Sequence, residues 1–302
     1  MTNPMESGWL SGSLLVRPAV VMGAEYHVDA TNGDDSNSGL DWDNSLGTWD
    51  AAINKCGGDA GEVIYMAPWH AESIATSTAL ALDTAGISHI GLQCGNQRPT
   101  ITLGTDAGAT IGVTAANQRI SGIKLVSAVI NCTAGITASS AGDGLQVDNC
   151  IITDGGAALE MVIGISLAAS CDGCKILNNE FYTVPAGGCA SAIKLVGDSA
   201  RTVIANNIIQ GDYSVSAIDL GTAVTYLVTI RNNFIVNVDA DPGNCVKAYT
   251  GTTGLVVRNI WAGGHSMAGT YVGDAMVANW NYATGAVTKS GILEEPAEDS
   301  DT

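Results

Sequence analysis

Val203-Ile-Ala-Asn-Asn207-Ile-Ile209 is one of five copies of a run in which apolar residues alternate with polar ones and close on an Asn. The others are Leu145-Gln-Val-Asp-Asn149-Cys-Ile-Ile152, Cys174-Lys-Ile-Leu-Asn-Asn179-Glu-Phe181, Val228-Thr-Ile-Arg-Asn-Asn233-Phe-Ile235 and Leu255-Val-Val-Arg-Asn259-Ile-Trp261. The closing Asn falls at 149, 179, 207, 233 and 259, so the period drifts from 30 down to 26 residues. Alternation of period two marks a strand with one face buried. Strands that recur at such a period stack as the coils of a β-solenoid. A helical solenoid needs apolar residues three and four apart over ten or more positions, and no such stretch occurs between Ile101 and Trp261.

A second register supports the first. Ile165-Ser-Leu167, Ile193-Lys-Leu195, Ile218-Asp-Leu220 and Val246-Lys-Ala248 lie between successive Asn copies, so each repeat carries at least two short strands. When coils stack at a strand spacing of about 4.8 Å, an Asn at a turn can point inward and pass its amide bond to the Asn above and below. Asn149, Asn179, Asn207, Asn233 and Asn259 are therefore expected to form a structural ladder. At about 27 residues per coil, residues 61–287 hold roughly eight coils. The organisation that follows is an N-terminal arm over 1–24, a strand, Asp/Gly-rich loop and capping helix over 25–60, the parallel β-helix over 61–287, and an acidic tail over 288–302.

The net charge of −18, from 30 acidic against 12 basic residues, repels phosphate backbones and argues against nucleic acid as a partner. The apolar stretch Leu14 to Val21 is broken by Arg17 and Pro18 and lacks a basic leader, so neither a signal peptide nor a membrane span is read there. A docking arm is expected instead, with Trp9, Leu10, Leu14, Leu15, Val20 and Val21 as its contact residues. Of the eight cysteines, Cys132, Cys150, Cys189 and Cys245 sit beside apolar strand residues as small core fillers. Cys171-Asp-Gly-Cys174 has no second CxxC and no His at ligand spacing, so neither a zinc site nor a redox pair is read, and free thiols are expected.

The opening of the domain runs Tyr26-His-Val-Asp29, then the Asp-rich loop Asn32 to Asn37, then Thr48-Trp-Asp-Ala-Ala-Ile-Asn-Lys55, then Gly61-Glu62-Val-Ile-Tyr-Met-Ala-Pro68-Trp69-His70-Ala-Glu72. A cap is needed here because a first coil would otherwise expose unpaired strand groups; Thr48 suits the N-cap, with Ala51, Ala52 and Ile53 turned to the core. The loop is read as a turn cluster rather than a Ca²⁺ site, since it lacks the distal Glu of an EF-hand. His70-Ala-Glu72 places two side chains on one strand face, without a third ligand fixed by spacing.

These segments resemble the N-terminal region of the pectin lyase-like superfamily, particularly its phage members. The resemblance implies an all-β fold, a right-handed single-stranded parallel β-helix. It also implies a structural virion protein, assembled in the host cytoplasm: a homotrimeric capsid decoration or cement protein, or a spike, docking on a major capsid protein or another lattice protein. The superfamily includes polysaccharide lyases and glycoside hydrolases, so an enzyme reading stands as the alternative. A glycosidase needs two or more converging carboxylates. Asp219 stands in a column with Ser166, Lys194 and Lys247, which reads more simply as a solvated ion pair, and Arg231 lies one coil from Arg258 and is followed by Asp239 and Asp241; no catalytic residue is assigned, Asp219, Arg231, Asp239 and Asp241 being weak candidates. A non-enzymatic role is favoured, with no cofactor, metal or membrane. A glycan-binding fibre is the second alternative and requires exposed aromatics on the distal coils, for which Tyr271, Trp280 and Tyr282 are the candidates.

Overall fold

The computed structural model describes residues 23–58, 61–184, 188–221, 223–239, 244–249, 251–263, 265–267, 275–279 and 282–284, with side chains through Ile260. Its regular structure is almost entirely β-strand. Three parallel sheets run the length of the chain, with ten, nine and eight strands, and each coil contributes one strand to each sheet in turn. One coil is Lys175–Leu177 in the first sheet, Glu180–Tyr182 in the second and Ser191–Leu195 in the third. Seven such turns lead from Val63–Met66 to Asn244–Lys247, and further strands of all three sheets continue the stack beyond them. This is a parallel β-helix.

The quoted runs each cover two strands, not one. Val203–Ala205 belongs to the first sheet and Ile208–Gly211 to the second, joined by the corner Asn206-Asn207. Alternation turns one residue in two inward, and the inward residues stack in register. Ile120, Val147, Ile176, Ile204, Ile230 and Val256 form one column, Leu125, Ile152, Phe181, Ile209 and Ile235 a second, and Ile136, Ile165, Ile193, Ile218 and Val246 a third. None of these is more than 3% exposed. At about 1.5–3 kcal/mol for each large apolar side chain removed from water, these columns are the main favourable contribution to the rod.

The corner between the first and second sheets divides its two residues by role. The first takes left-handed backbone and faces solvent: Asn149, Asn178, Asn206, Asn232 and Arg258, with φ between 53° and 59°. The second points inward. Asn179, Asn207, Asn233 and Asn259 are each at most 2% exposed. The backbone N–H and Nδ2 of each donate to Oδ1 of the next at 2.9–3.2 Å, from Asn179 to Asn207 to Asn233 to Asn259. Each Nδ2 also donates to a carbonyl of the preceding coil, as Asn207 does to Ile176 at 2.9 Å. Asn149 is not part of this ladder. It is the exposed left-handed residue of its corner, and the inward seat belongs to Cys150, whose backbone N–H donates to Asn179 Oδ1 at 2.9 Å. The misplacement by one residue arises because Asn149 stands alone where the later corners carry Asn-Asn or Arg-Asn.

The helix Trp49–Ile53 closes the N-terminal end, with Thr48 Oγ1 accepting the Ala51 N–H at 3.2 Å. Trp49, Ala52 and Ile53 are its buried residues, and Ala51 is only partly covered. The strand Glu25–Val28 pairs with Val63–Met66 and so becomes the first strand of the first sheet.

Candidate functional site

Several polar side chains of the cap hold it together. Asp35 Oδ1 accepts the N–H groups of Gly47 and Thr48, and its Oδ2 accepts the Thr48 hydroxyl, all at 2.9 Å, so the Asp-rich loop is folded onto the helix N-terminus. Asp29 and Asp34 accept N–H groups two and three residues ahead, as turn residues do. His70 Nδ1 accepts the Ala30 N–H at 3.0 Å, which leaves its proton on Nε2, 3.2 Å from Glu72 Oε2. That same Glu72 oxygen accepts the Trp49 N–H at 2.9 Å. The His70-Ala-Glu72 motif thus ties the start of the first coil's second-sheet strand, Ala71–Ile74, to the capping helix.

A second histidine lies deeper. Trp49 Nε1–H donates to His89 Nδ1 at 2.9 Å, so the ring proton sits on Nε2 and donates to Gln118 Oε1 at 2.9 Å. Gln118 Nε2 passes the chain on to the Thr84 carbonyl. Burial pushes the His89 pKa down to about 4. An unfolded histidine titrates near 6.5, so the network's contribution is complete above about pH 6.5 and is lost as pH falls toward 4. Stability is expected to drop by roughly 2–3 kcal/mol between pH 7 and 4.5 on this account. Urea unfolding at the two pH values, with His89→Gln alongside, checks it: the variant should lose much less than the wild type, and equal losses would refute the assignment.

Of the carboxylates singled out from the sequence, Asp219 lies on a third-sheet strand and Asp239 just past the end of a second-sheet strand. Asp219 stands in the expected column, Ser166, Lys194, Asp219, Lys247, but it is 4% exposed. Its Oδ1 accepts the Gly221 N–H at 3.1 Å, so the expected solvated ion pair gives way to a buried carboxylate tied to its own chain. Arg231 is exposed at the end of a first-sheet strand and is in register with Val257, not Arg258, which occupies the next corner. The second-sheet strand Phe234–Asn237 separates Arg231 from Asp239, whose N–H donates to Asn237 Oδ1. Asp241 lies outside the described residues, as do Trp9, Leu10, Leu14, Leu15, Val20, Val21, Tyr271, Trp280 and the acidic tail.

A buried polar cluster that the sequence reading passed over lies at the corner between the second and third sheets. Asp154 accepts the N–H groups of Met161 at 2.8 Å and Val184 at 3.2 Å, and the Cys189 thiol at 3.5 Å. Burial raises its pKa and drives that of Cys189 upward as well. The Tyr213 hydroxyl and Ser191 Oγ beside it are buried without a protein partner. The cavity they line measures about 10 Å³, which suits a single water and falls far below the hundreds of cubic ångströms of a substrate pocket. The cluster pins one corner to the next.

The outward face of the second sheet is the other feature. Its register runs Lys124, Ile151, Glu180, Ile208, Phe234, Ile260 and on to Tyr282. Ile208, Phe234 and Ile260 are consecutive in that column and 44–49% exposed; Tyr182, in the neighbouring column, is 43% exposed. Exposed large apolar side chains concentrate in this half: ten of the fourteen among the described residues lie between Tyr182 and Ile260. Charge divides the same way. Residues 182–260 carry five acidic residues (Asp198, Asp212, Asp219, Asp239, Asp241) and five basic ones (Lys194, Arg201, Arg231, Lys247, Arg258), whereas residues 1–181 carry nineteen acidic and six basic. The distal coils are therefore neutral and apolar-faced in a strongly acidic chain. A signal for this was available in the sequence, because Ile208, Phe234 and Ile260 each follow the Asn corner directly.

No family model matches the chain, and no curated protein matches it. Among solved structures it is similar to a rhamnogalacturonan lyase, at 13% identity and a TM-score of 0.43, over 90% of this chain and 84% of that one. It is also similar to the GH136 lacto-N-biosidase from Eubacterium ramulus, at 12% identity and a TM-score of 0.30, over 86% of this chain and 67% of that one.

Proposed function

We propose that this chain is a structural rod that assembles with copies of itself through its distal coils, and that the assembly is a trimeric capsid decoration or spike protein of a phage virion. The observation that carries the self-association is the exposed column Ile208, Phe234 and Ile260 on a flat sheet face. Contiguous apolar surface rimmed by polar residues marks an interaction site. Copies bearing a charge of −18 repel one another, and that repulsion is weakest where the chain is locally neutral. Three-fold packing of a sheet face is a closed arrangement that buries the column in every copy. The virion setting and the docking role of residues 1–24 come from the resemblance of the opening segments to phage β-helix proteins.

The test is light scattering on the full chain and on a form lacking residues 1–24. The full chain should give three times its 30.8 kDa mass and the shortened form three times its own smaller mass, and only the full chain should bind a capsid or tail lattice. A monomer in both forms sinks the reading. A second reading, a glycan-gripping fibre, draws on Tyr182, Tyr226, Phe234 and Tyr249, each 43–45% exposed on the same coils. Exposed rings of this kind stack on sugars. Saturable binding of an oligosaccharide by a chain that remains monomeric would favour it.

A further inference from the structure

We infer that Cys171 and Cys174 are a redox-responsive pair that closes to an intramolecular disulfide while the β-helix stays folded. The two thiols lie at the corner between the third-sheet strand Ile163–Leu167 and the first-sheet strand Lys175–Leu177. Both are fully buried, and their sulfurs are 3.3 Å apart. The turn that brings them together is fixed independently of the sulfurs. Gly173 takes left-handed backbone at φ 67°. The Asp172 N–H donates to Asp143 Oδ1 at 2.6 Å, its Oδ1 accepts the Ala200 N–H at 2.7 Å, and its Oδ2 is 3.1 Å from Arg201 Nη2. The corner is thus held from the coil below and the coil above. In the next coil the corresponding seats are Ser199 and Thr202, in register through Lys175 and Val203, so the sulfur pair is particular to this corner.

A small disulfide such as oxidised glutathione is the two-electron acceptor. One of the two sulfurs, as its thiolate, attacks a glutathione sulfur and releases a glutathione thiolate. The other, as its thiolate, then displaces the second glutathione from the mixed disulfide, closing the Cys171–Cys174 bond. The two protein thiol protons end on the two glutathione molecules, which balances the exchange. The contact between the sulfurs, in which either thiol can donate, holds the thiolate of the attacking sulfur through the proton of the other. Because both sulfurs lie beneath Asp172 and Gly173, the reaction needs only that corner to open and leaves the sheets in place. This pair is separate from the distal apolar face and does not depend on self-association.

The experiment equilibrates the folded full-length protein in glutathione buffers of graded potential, quenches with acid, alkylates after unfolding, and maps the cysteine peptides by mass. The expected result is a Cys171–Cys174 peptide that loses two hydrogens and both alkyl groups, while Cys56, Cys94, Cys132, Cys150, Cys189 and Cys245 remain alkylated. Oxidation should raise the thermal midpoint by a few degrees in the wild type and leave Cys171→Ser unchanged. Three outcomes overturn the inference: a glutathione adduct that persists at either sulfur, a disulfide to any other cysteine, or alkylation of both residues at every potential at which the protein is folded. The peptide map needs no variant, so it stands even if Cys171→Ser fails to fold.

Discussion

Asn233→Leu is expected to cost about 3–5 kcal/mol of folding stability, a large fraction of the total for a domain of ordinary stability. The substitution keeps the side chain's size and removes its polar atoms. Asn207 then loses the acceptor of its backbone N–H and one of the two acceptors of its Nδ2, the Ile204 carbonyl loses the Asn233 Nδ2 donor, and Asn259 Oδ1 loses one of two donors. All of these groups are buried, and each buried polar group left open costs about 1–3 kcal/mol. One residue earlier the expectation reverses. Asn232 is exposed at φ 55°, so Asn232→Gly keeps the conformation and should stay within about 0.5 kcal/mol of the wild type. Urea unfolding midpoints for the pair decide the matter. Similar midpoints for the two variants would mean that the ladder contributes no more than an ordinary corner.

Ile208→Glu combined with Phe234→Glu is expected to convert the assembly to monomer without disturbing the coil. Both side chains point outward from the second sheet, 49% and 44% exposed, so neither fills the core. In an assembled face, each copy would bury two carboxylates opposite apolar neighbours. The cost of several kcal/mol per buried, unpaired charge exceeds what a modest interface can supply. The mass by light scattering should fall to 30.8 kDa, with the far-ultraviolet circular dichroism and thermal midpoint close to those of the monomeric fold. An unchanged oligomer mass would place the contact elsewhere on the rod and remove the main support for the proposed assembly.

The coil period, the inward columns and the third-sheet register were legible in the sequence because they rest on period-two alternation, which is a local pattern. Ile165, Ile193, Ile218 and Val246 are in register, as their spacing implied. The split of each run into two strands was not legible, since a two-residue corner of left-handed Asn and inward Asn preserves the look of a continuous polar and apolar alternation. The seat of Cys150 was hidden for the same reason: a thiol and an amide can occupy one structural position while the eye follows the amide. The site was less legible than the fold. Asp154, Cys189 and Tyr213 come from three coils and meet only through stacking, and the burial of Asp219 depends on what covers an outward position rather than on its place in the strand.

The three corners of the coil also differ in how far their length is fixed. From Arg119–Ser121 onward, every passage from the first sheet to the second takes two residues, while the other two corners vary in length and absorb the drift of the period. The first corner acts as a gauge and the others as slack. New sequence is therefore admissible at some places and not at others. A peptide spliced between Gly155 and Leu159 would hang from the flank and leave the pitch untouched, whereas a single residue added between Asn178 and Asn179 would force that coil either to bulge at the ladder or to lose register with the coils on both sides. The rod can be decorated from its side, and lengthened by whole coils, but it cannot be stretched at its gauge.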